Sequence, residues 1–424
     1  MTSNTRPLNL MLLAGLLLGA MPTWAVSPNV AEVVSFSKPG LSAQQLGVIV
    51  NDDDPNSVAI AAYYQQKRDI PDKNMIHVRF APNQTVMSSA EFAKLKSRVD
   101  KAANKNIQAY ALTWAQPYRV DCMSITAAFA FGFDLAHCGS GCKPIKPSPY
   151  FNSGTSLPYT THKIRPTMSL AATTVEQAKK LIDRGVESDS KNPEGRAYLL
   201  NTSDTQRNVR ATGYEEAYAL LNKLFPIEIV KANQIEDKHD VMFYFTGLAQ
   251  VPNIERNTYL PGAMADHLTS TGGVLFGGSQ MSILKWLEAG ATGSYGTVVE
   301  PCNFPQKFPV PGLAMAHYLQ GETLIEAYWK SVLMPGQGLF IGEPLARPFA
   351  GYTTSYHDRE LRIQTPAIEP GIYSIQASPS MMGPYREIGR LPISWGSKEL
   401  KFNQVPPGYY RVERMPPPRT LRKR

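Results

Sequence analysis

The chain has 424 residues, of which 43% are hydrophobic and 18% charged. This composition excludes a disordered or fibrous protein and predicts a folded chain with room for two or three domains. The formal charge of +8 would suit a nucleic-acid-binding protein, but residues 411–424 hold six basic side chains against one acidic one. The rest of the chain is nearly neutral, so we expect no nucleic-acid partner.

The N-terminus has the pattern of a secretory signal peptide over residues 1–25. Arg6 precedes an apolar run, Leu10–Met21, and Thr23-Trp24-Ala25 places small residues at the expected cleavage point. The apolar run is shorter than the roughly 20 residues that span a bilayer. We therefore expect an exported protein, periplasmic or secreted, without a transmembrane span.

Strands and helices alternate over residues 26–349. Continuous apolar strands separated by helices are typical of a mostly parallel sheet with helices on both faces, so the expected fold class is α/β. An irregular insertion interrupts the alternation at about 120–170. The predicted strands are 46–50, 75–80, 107–115, 196–201, 227–231, 241–246, 273–276, 292–299 and 339–341, and the predicted helices are 57–68, 88–105, 174–189, 213–225, 280–289, 312–319 and 323–330.

The insertion holds three of the four cysteines, and an oxidising compartment favours disulfides. Four cysteines allow three complete pairings. Cys138 and Cys142 flank a flexible Gly-Ser-Gly loop, which predicts a local bridge and leaves Cys122 to pair with Cys302. A zinc site with His137 is the alternative, but this spacing with no second compact pair is a weak signal. We predict no metal site and no cofactor.

The helical pattern ends after Phe349, and the remaining residues predict a small all-β appendage. Residues 350–366 are expected to be a linker, 367–414 a small β region that packs on the main body, and 415–424 a basic tail. The tail could make a weak contact with an anionic envelope, although a disordered terminus explains it as well. The predicted strands are 371–377, 384–390, 399–403 and 408–414.

Ligands of α/β sheets bind at the carboxyl ends of the strands, and this rule selects most of the candidate ligand-binding residues. Arg119 and Arg165, in or beside the insertion, are added because a guanidinium binds carboxylates. Helix capping explains the Asn51–Asp54 run as well as ligand binding does, and a tight turn explains Gly277-Gly278-Ser279. The other candidates are Asn51, Asp52, Trp114, Thr246, Gly247, Ser279, Gln280 and Glu300.

Nucleophilic catalysis requires a Cys or Ser with a His base within hydrogen-bond reach. Cys302 is the candidate nucleophile, because it follows the predicted strand 292–299. The sequence does not select its base among seven histidines, and it places His267 and His317 in helices.

Three stretches, Gly277-Gly278-Ser279-Gln280, residues 286–293 and residues 342–349, resemble a family of exported bacterial proteins with no assigned activity. The resemblance extends from about Leu46 to Phe349. More distantly, the chain resembles the gingipain-type cysteine peptidases, whose catalytic domain is caspase-like. That resemblance implies one strand ending in His-Gly and a following strand ending in the nucleophilic Cys.

Neither member of that dyad is present where the resemblance places it. The first strand ends in Thr246-Gly247, and Gly277-Gly278-Ser279 follows the predicted second strand. Thr cannot act as a general base at neutral pH. We therefore expect a protein that binds an unknown ligand or protein partner at the carboxyl edge of its sheet. The alternative is a hydrolase with a relocated nucleophile, Cys302.

Overall fold

The computed structural model describes residues 40–139, 142–365, 368–380 and 382–416. The predicted signal peptide and residues 417–424 of the predicted basic tail lie outside the described residues. Within the described ranges, no helix combines the length and the apolar composition that crossing a membrane requires.

The described chain alternates between strands and helices up to residue 342 and contains only strands after it. The helices are α1 (Pro55–Arg68), α2 (Ser89–Ala102), α3 (Ile125–Phe131), α4 (Pro158–His162), α5 (Val175–Ser188), α6 (Tyr214–Leu221), α7 (Leu284–Ala289), α8 (Pro311–Leu319) and α9 (Leu324–Ser331). The strands are β1 (Leu46–Asn51), β2 (Met75–Val78), β3 (Val86–Met87), β4 (Ala109–Leu112), β5 (Arg119–Val120), β6 (Met123–Ser124), β7 (Thr167–Ser169), β8 (Arg196–Leu200), β9 (Ile227–Val230), β10 (Val241–Thr246), β11 (Tyr259–His267), β12 (Gly293–Thr297), β13 (Gly338–Gly342), β14 (Thr353–His357), β15 (Glu360–Gln364), β16 (Gly371–Ser378), β17 (Arg386–Ile393), β18 (Glu399–Phe402) and β19 (Tyr409–Arg414).

A ten-stranded sheet forms the centre of the molecule, in the order β2-β1-β4-β7-β13-β12-β11-β10-β8-β9. Its pairings are parallel except that β12 and β13 pair antiparallel. Every residue of β1, β10 and β12 is buried, which explains their uninterrupted apolar or small-residue sequences. The predicted α/β class with a mostly parallel sheet is confirmed.

Short polar residues fix where the helices between these strands begin. The Asp54 carboxylate accepts a hydrogen bond from Asn56 N at 2.9 Å, and Pro55 opens α1. Ser88 caps α2 and Thr174 caps α5 in the same way, each accepting from a backbone N–H three residues later. These caps account for the agreement between the predicted and observed starts of these helices.

Two strands of the sheet, β7 and β11, were not predicted, and one predicted strand is absent. Residues 273–276 are irregular, whereas β11 occupies the place beside β10. β11 was not predicted because it contains Pro261 and Gly262, and both residue types usually interrupt strands. Gly262 has φ +89°, and the pairing of β10 shifts register between Val241 and Phe243. His267 therefore ends a strand and does not lie in a helix.

The predicted disulfide pairing is wrong. Cys122 is bonded to Cys138, and Cys142 to Cys302, with Cα–Cα distances of 5.5 and 5.3 Å. The fold brings the insertion against the loop after β12, so Cys142 meets Cys302 there and Cys138 turns back to Cys122. No thiolate is left for the alternative zinc site beside His137.

The predicted linker 350–366 is also wrong, because it contains the hairpin of β14 and β15. Asp358 and Arg359 form its turn with φ +50° and +64°, a conformation for which Asn-Gly is the recognisable sequence signal. The hairpin pairs with β18, while β16 pairs with β17 and β19. These strands share a separate apolar core. Trp395 joins the region to the main body, since its Nε1 donates to the Leu220 carbonyl at 3.0 Å.

Candidate functional site

A cavity of about 360 Å³ lies where the parallel strands β8, β11 and β12 end. Arg207 enters it from the loop after β8, Thr269 and Ser270 follow β11, and Glu300 and Cys302 follow β12. The cavity therefore occupies the position at which α/β sheets bind their ligands. Its lining combines a cation, a carboxylate and two hydroxyl groups.

The Arg207 guanidinium is held in place from one side. Its Nε donates to Thr269 Oγ1 at 3.0 Å, and its Nη1 donates to Asp204 Oδ2 at 2.9 Å. Thr269 in turn donates to Gln280 Oε1 at 2.9 Å. In the described part of the chain Nη2 has no hydrogen-bond partner, so a preoriented N–H edge remains for a carboxylate or another anion.

The backbone of this loop packs against β10 so closely that only glycine fits at position 247. A Cβ on Gly247 would collide with the carbonyl oxygen of Arg207. The Gly247 carbonyl also accepts a hydrogen bond from Thr202 Oγ1 at 2.8 Å. The lack of a side chain at Gly247 therefore allows the Arg207 backbone to pack at this position.

Glu300 provides an acidic group on the other wall. Its Oε1 accepts from Cys302 N at 2.7 Å, and its carbonyl accepts from Gln337 Nε2 at 3.0 Å. Glu300 forms no ion pair with any described residue, including Arg207, although both line the cavity. Because the two opposite charges are separated by more than ion-pair distance, a ligand between them could hydrogen-bond to both Arg207 and Glu300.

A buried ion pair lies at the ends of β10 and β11. Arg210 Nη1 lies 2.7 Å from Asp266 Oδ1, and both side chains are almost fully buried. Arg210 also donates to the carbonyls of Thr246, at 2.7 Å, and Pro309, at 3.2 Å. Burial raises the pKa of Asp266 to about 6, with the Arg210 charge opposing the rise. Both partners are thus engaged in holding the ends of β10 and β11.

His267 lies beneath the same strand ends but cannot act as a base. Trp286 Nε1 donates to its Nδ1 at 2.9 Å, and its Nε2 lies 3.1 Å from the Met281 carbonyl. Complete burial lowers the pKa of His267 to about 3. The ring is therefore neutral, and both of its nitrogens are used within the core.

Five residues predicted from the sequence meet around this cavity. Glu300 and Cys302 line it, Gln280 orients Thr269, and Gly247 and Thr246 contact the arginines that enter or support it. The adjacent Ser279 is exposed, and its carbonyl accepts from Gln250.

Four other candidates do not line the cavity, and three of them bond within the protein. The buried Asn51 amide bridges β1 to the Phe80 backbone, with Nδ2 to O at 3.0 Å. The Asp52 carboxylate lies 2.7 Å from His77 Nδ1. Trp114 is buried and donates to the Pro117 carbonyl at 3.2 Å. The Arg119 side chain is half-buried in β5.

Arg165, predicted to bind a carboxylate, lies at the opposite ends of the strands and away from this cavity. It comes just before β7, and its Nε donates to the Ile107 carbonyl, ahead of β4, at 3.0 Å. Its guanidinium stacks over the Tyr159 ring at 3.4 Å and is buried. Arg165 therefore holds the insertion to the amino ends of β4 and β7.

Cys302 has no free thiol because it is bonded to Cys142, so it cannot be a nucleophile in this structure. Arg207, Thr269 and Ser270 were not predicted from the sequence. Arg207 follows β8 without any motif, although its place after a predicted strand was a usable signal. Thr269 and Ser270 went unnoticed because β11 itself was not predicted.

Comparisons with known proteins add little to this geometry. No family model and no curated protein matches the chain. One solved structure, named "Structure of Protease", aligns over 90% of this chain and 98% of its own, with 10% identity and a TM-score of 0.37. An overlap of that quality shows no activity of this chain.

Proposed function

We propose that this chain is an exported binding protein without peptidase activity, and that its cavity at the carboxyl ends of β8, β11 and β12 takes a small ligand carrying a carboxylate. The single observation that carries the proposal is the Arg207 guanidinium, whose Nε and Nη1 are fixed by Thr269 and Asp204 while Nη2 is free of described partners. A charge-assisted hydrogen bond to such a preoriented edge is about twice as strong as a neutral one.

The residues at the ends of β10 and β11 favour a binding protein and not a peptidase of the gingipain type. β10 ends at Thr246, where that resemblance implies a histidine, and β11 continues into Leu268-Thr269-Ser270, where it implies a cysteine. His267 is neutral and fully engaged. The alternative hydrolase based on Cys302 lacks a thiolate.

Export is proposed on the sequence pattern of residues 1–25, and two disulfides are compatible with it. The weak contact of the basic tail with an anionic envelope stays a prediction from the sequence.

The test uses N-acetylglycine and its uncharged analogue N-acetylglycinamide as probes in ligand-observed NMR titrations. We expect N-acetylglycine to bind at least tenfold more tightly, since a hydrogen bond between charged groups contributes about 1.5–3 kcal/mol. Arg207→Met should abolish the difference, whereas Arg256→Met, a control on the surface, should keep it. Equal binding of both probes to the wild type, or no binding, refutes the proposal.

A second measurement separates binding from catalysis. The unreduced protein should take up no iodoacetamide, and it should leave a peptide library uncleaved. Alkylation at Cys302 together with cleavage would instead establish the hydrolase.

A further inference from the structure

A second cavity, of about 440 Å³, adjoins the first on the other side of the Cys142–Cys302 disulfide. Its apolar lining includes Val299 and Leu135, and Leu135 is 72% exposed. An exposed leucine at the mouth of an apolar cavity is a common arrangement for receiving an apolar group.

The two cavities share a wall. Cys142, Glu300 and Cys302 line both of them. A group held at the Glu300 carboxylate therefore sits at their boundary, with the Arg207 guanidinium on the polar side and Leu135 on the apolar side. A cation, a carboxylate and an apolar surface thus line two cavities that adjoin each other.

From this arrangement we infer that the ligand is an aliphatic α-amino acid residue with a free carboxylate. The carboxylate pairs with Arg207, the nitrogen on the α-carbon donates to Glu300, and the side chain enters the cavity lined by Leu135 and Val299. The inference rests on the proposed function, to which it adds the class of ligand. A free amino acid and the C-terminal residue of a peptide share this chemistry.

Charge complementarity supports this occupant. Glu300 forms no ion pair with described residues and accepts only from Cys302 N, so its second oxygen can accept an N–H from the ligand. Arg207 provides the opposite charge without touching Glu300. A purely anionic ligand would leave Glu300 unpaired beside it, and a purely apolar ligand would desolvate the Glu300 carboxylate and Arg207 Nη2 without hydrogen-bonding to either.

Calorimetric titrations of the oxidised full chain with glycine and L-leucine test the inference. We expect L-leucine to bind at least tenfold more tightly than glycine, since transferring an aliphatic side chain from water to an apolar cavity strengthens binding by that factor or more. Leu135→Ser should reduce the ratio at least threefold. Leu220→Ser, at an exposed leucine of α6, should leave the ratio as in the wild type.

N-acetyl-L-leucine and glycyl-glycyl-L-leucine identify the source of the residue. Preference for L-leucine, reduced by Glu300→Gln, indicates a free amino acid, and preference for the two acylated probes indicates a peptide C-terminus. Both outcomes support the inference. Equal affinities for glycine and L-leucine overturn it but leave the proposed function standing, whereas failure of every carboxylate probe to bind refutes the proposed function as well.

Discussion

The two disulfides should differ in their contribution to stability, because they close loops of very different length. Cys142–Cys302 joins residues 160 apart, and Cys122–Cys138 joins residues 16 apart. Restricting the unfolded chain over these lengths corresponds to about 5 and about 3 kcal/mol in the chain-entropy model. The tenfold ratio of the separations alone sets a difference of about 2 kcal/mol.

The comparison requires double variants, so that no unpaired thiol remains. Urea unfolding of the variants C142A/C302A and C122A/C138A, at 25 °C and without reductant, gives the free energy of unfolding of each. We expect the first variant to lose about 2 kcal/mol more than the second. Equal losses, or a larger loss for C122A/C138A, would refute the entropic argument, and peptide mapping of the unreduced wild type that finds Cys138 bonded to Cys142 would refute the pairing itself.

Three further substitutions follow from the packing. Gly247→Ala should displace the Arg207 loop and abolish the preference for N-acetylglycine, whereas Gly213→Ala, where a Cβ meets no atom within 4 Å, should leave it intact; the same NMR titrations measure both. In the folded protein His267 is neutral, because its pKa is lowered to about 3. As the pH falls from 6 to 4, the free energy of unfolding of the wild type should therefore fall by about 1.4 kcal/mol per pH unit relative to that of His267→Gln. Parallel slopes in urea unfolding would contradict this. Glu343 is buried and accepts from Tyr64 Oη at 2.7 Å and from Arg68 Nε at 3.1 Å. Glu343→Gln should therefore lower the free energy of unfolding by about 3–5 kcal/mol, whereas Asp53→Asn, at the exposed pair with Arg79, should lower it by less than about 1 kcal/mol. Similar losses for both variants would argue against a stabilising network at Glu343.

The parts of the fold that follow local rules were predictable from the sequence. β1, β10 and β12 are short apolar or small-residue runs, and α2 and α5 begin at side chains that cap them. Burial on both faces and helix capping are properties of neighbouring residues, so sequence patterns record them.

The errors arose where a distant contact overrides the local pattern. Pro261 and Gly262 suggest a turn, yet β11 continues through them because it is held between β10 and β12. The Gly-Ser-Gly loop suggests a local disulfide, yet Cys142 is bonded to a residue 160 positions away. Sequence spacing cannot report such contacts.

Only some residues of the candidate site could be predicted from the sequence, for the same reason. Glu300, Cys302 and Gly247 follow predicted strands and were selected by the rule that ligands bind at the carboxyl ends. Arg207 looked like an ordinary loop residue, because its function depends on Thr269, which is 62 positions away in sequence. Arg165, chosen for its guanidinium and not by that rule, lies at the other ends of the strands.

A crystal structure of the oxidised protein with L-leucine, at a concentration that saturates it in solution, tests the central claim most directly. The account predicts that the leucine carboxylate lies about 3 Å from Arg207 Nη2, with the amino group at Glu300. Leucine bound elsewhere on the protein, with this cavity holding none, would contradict it.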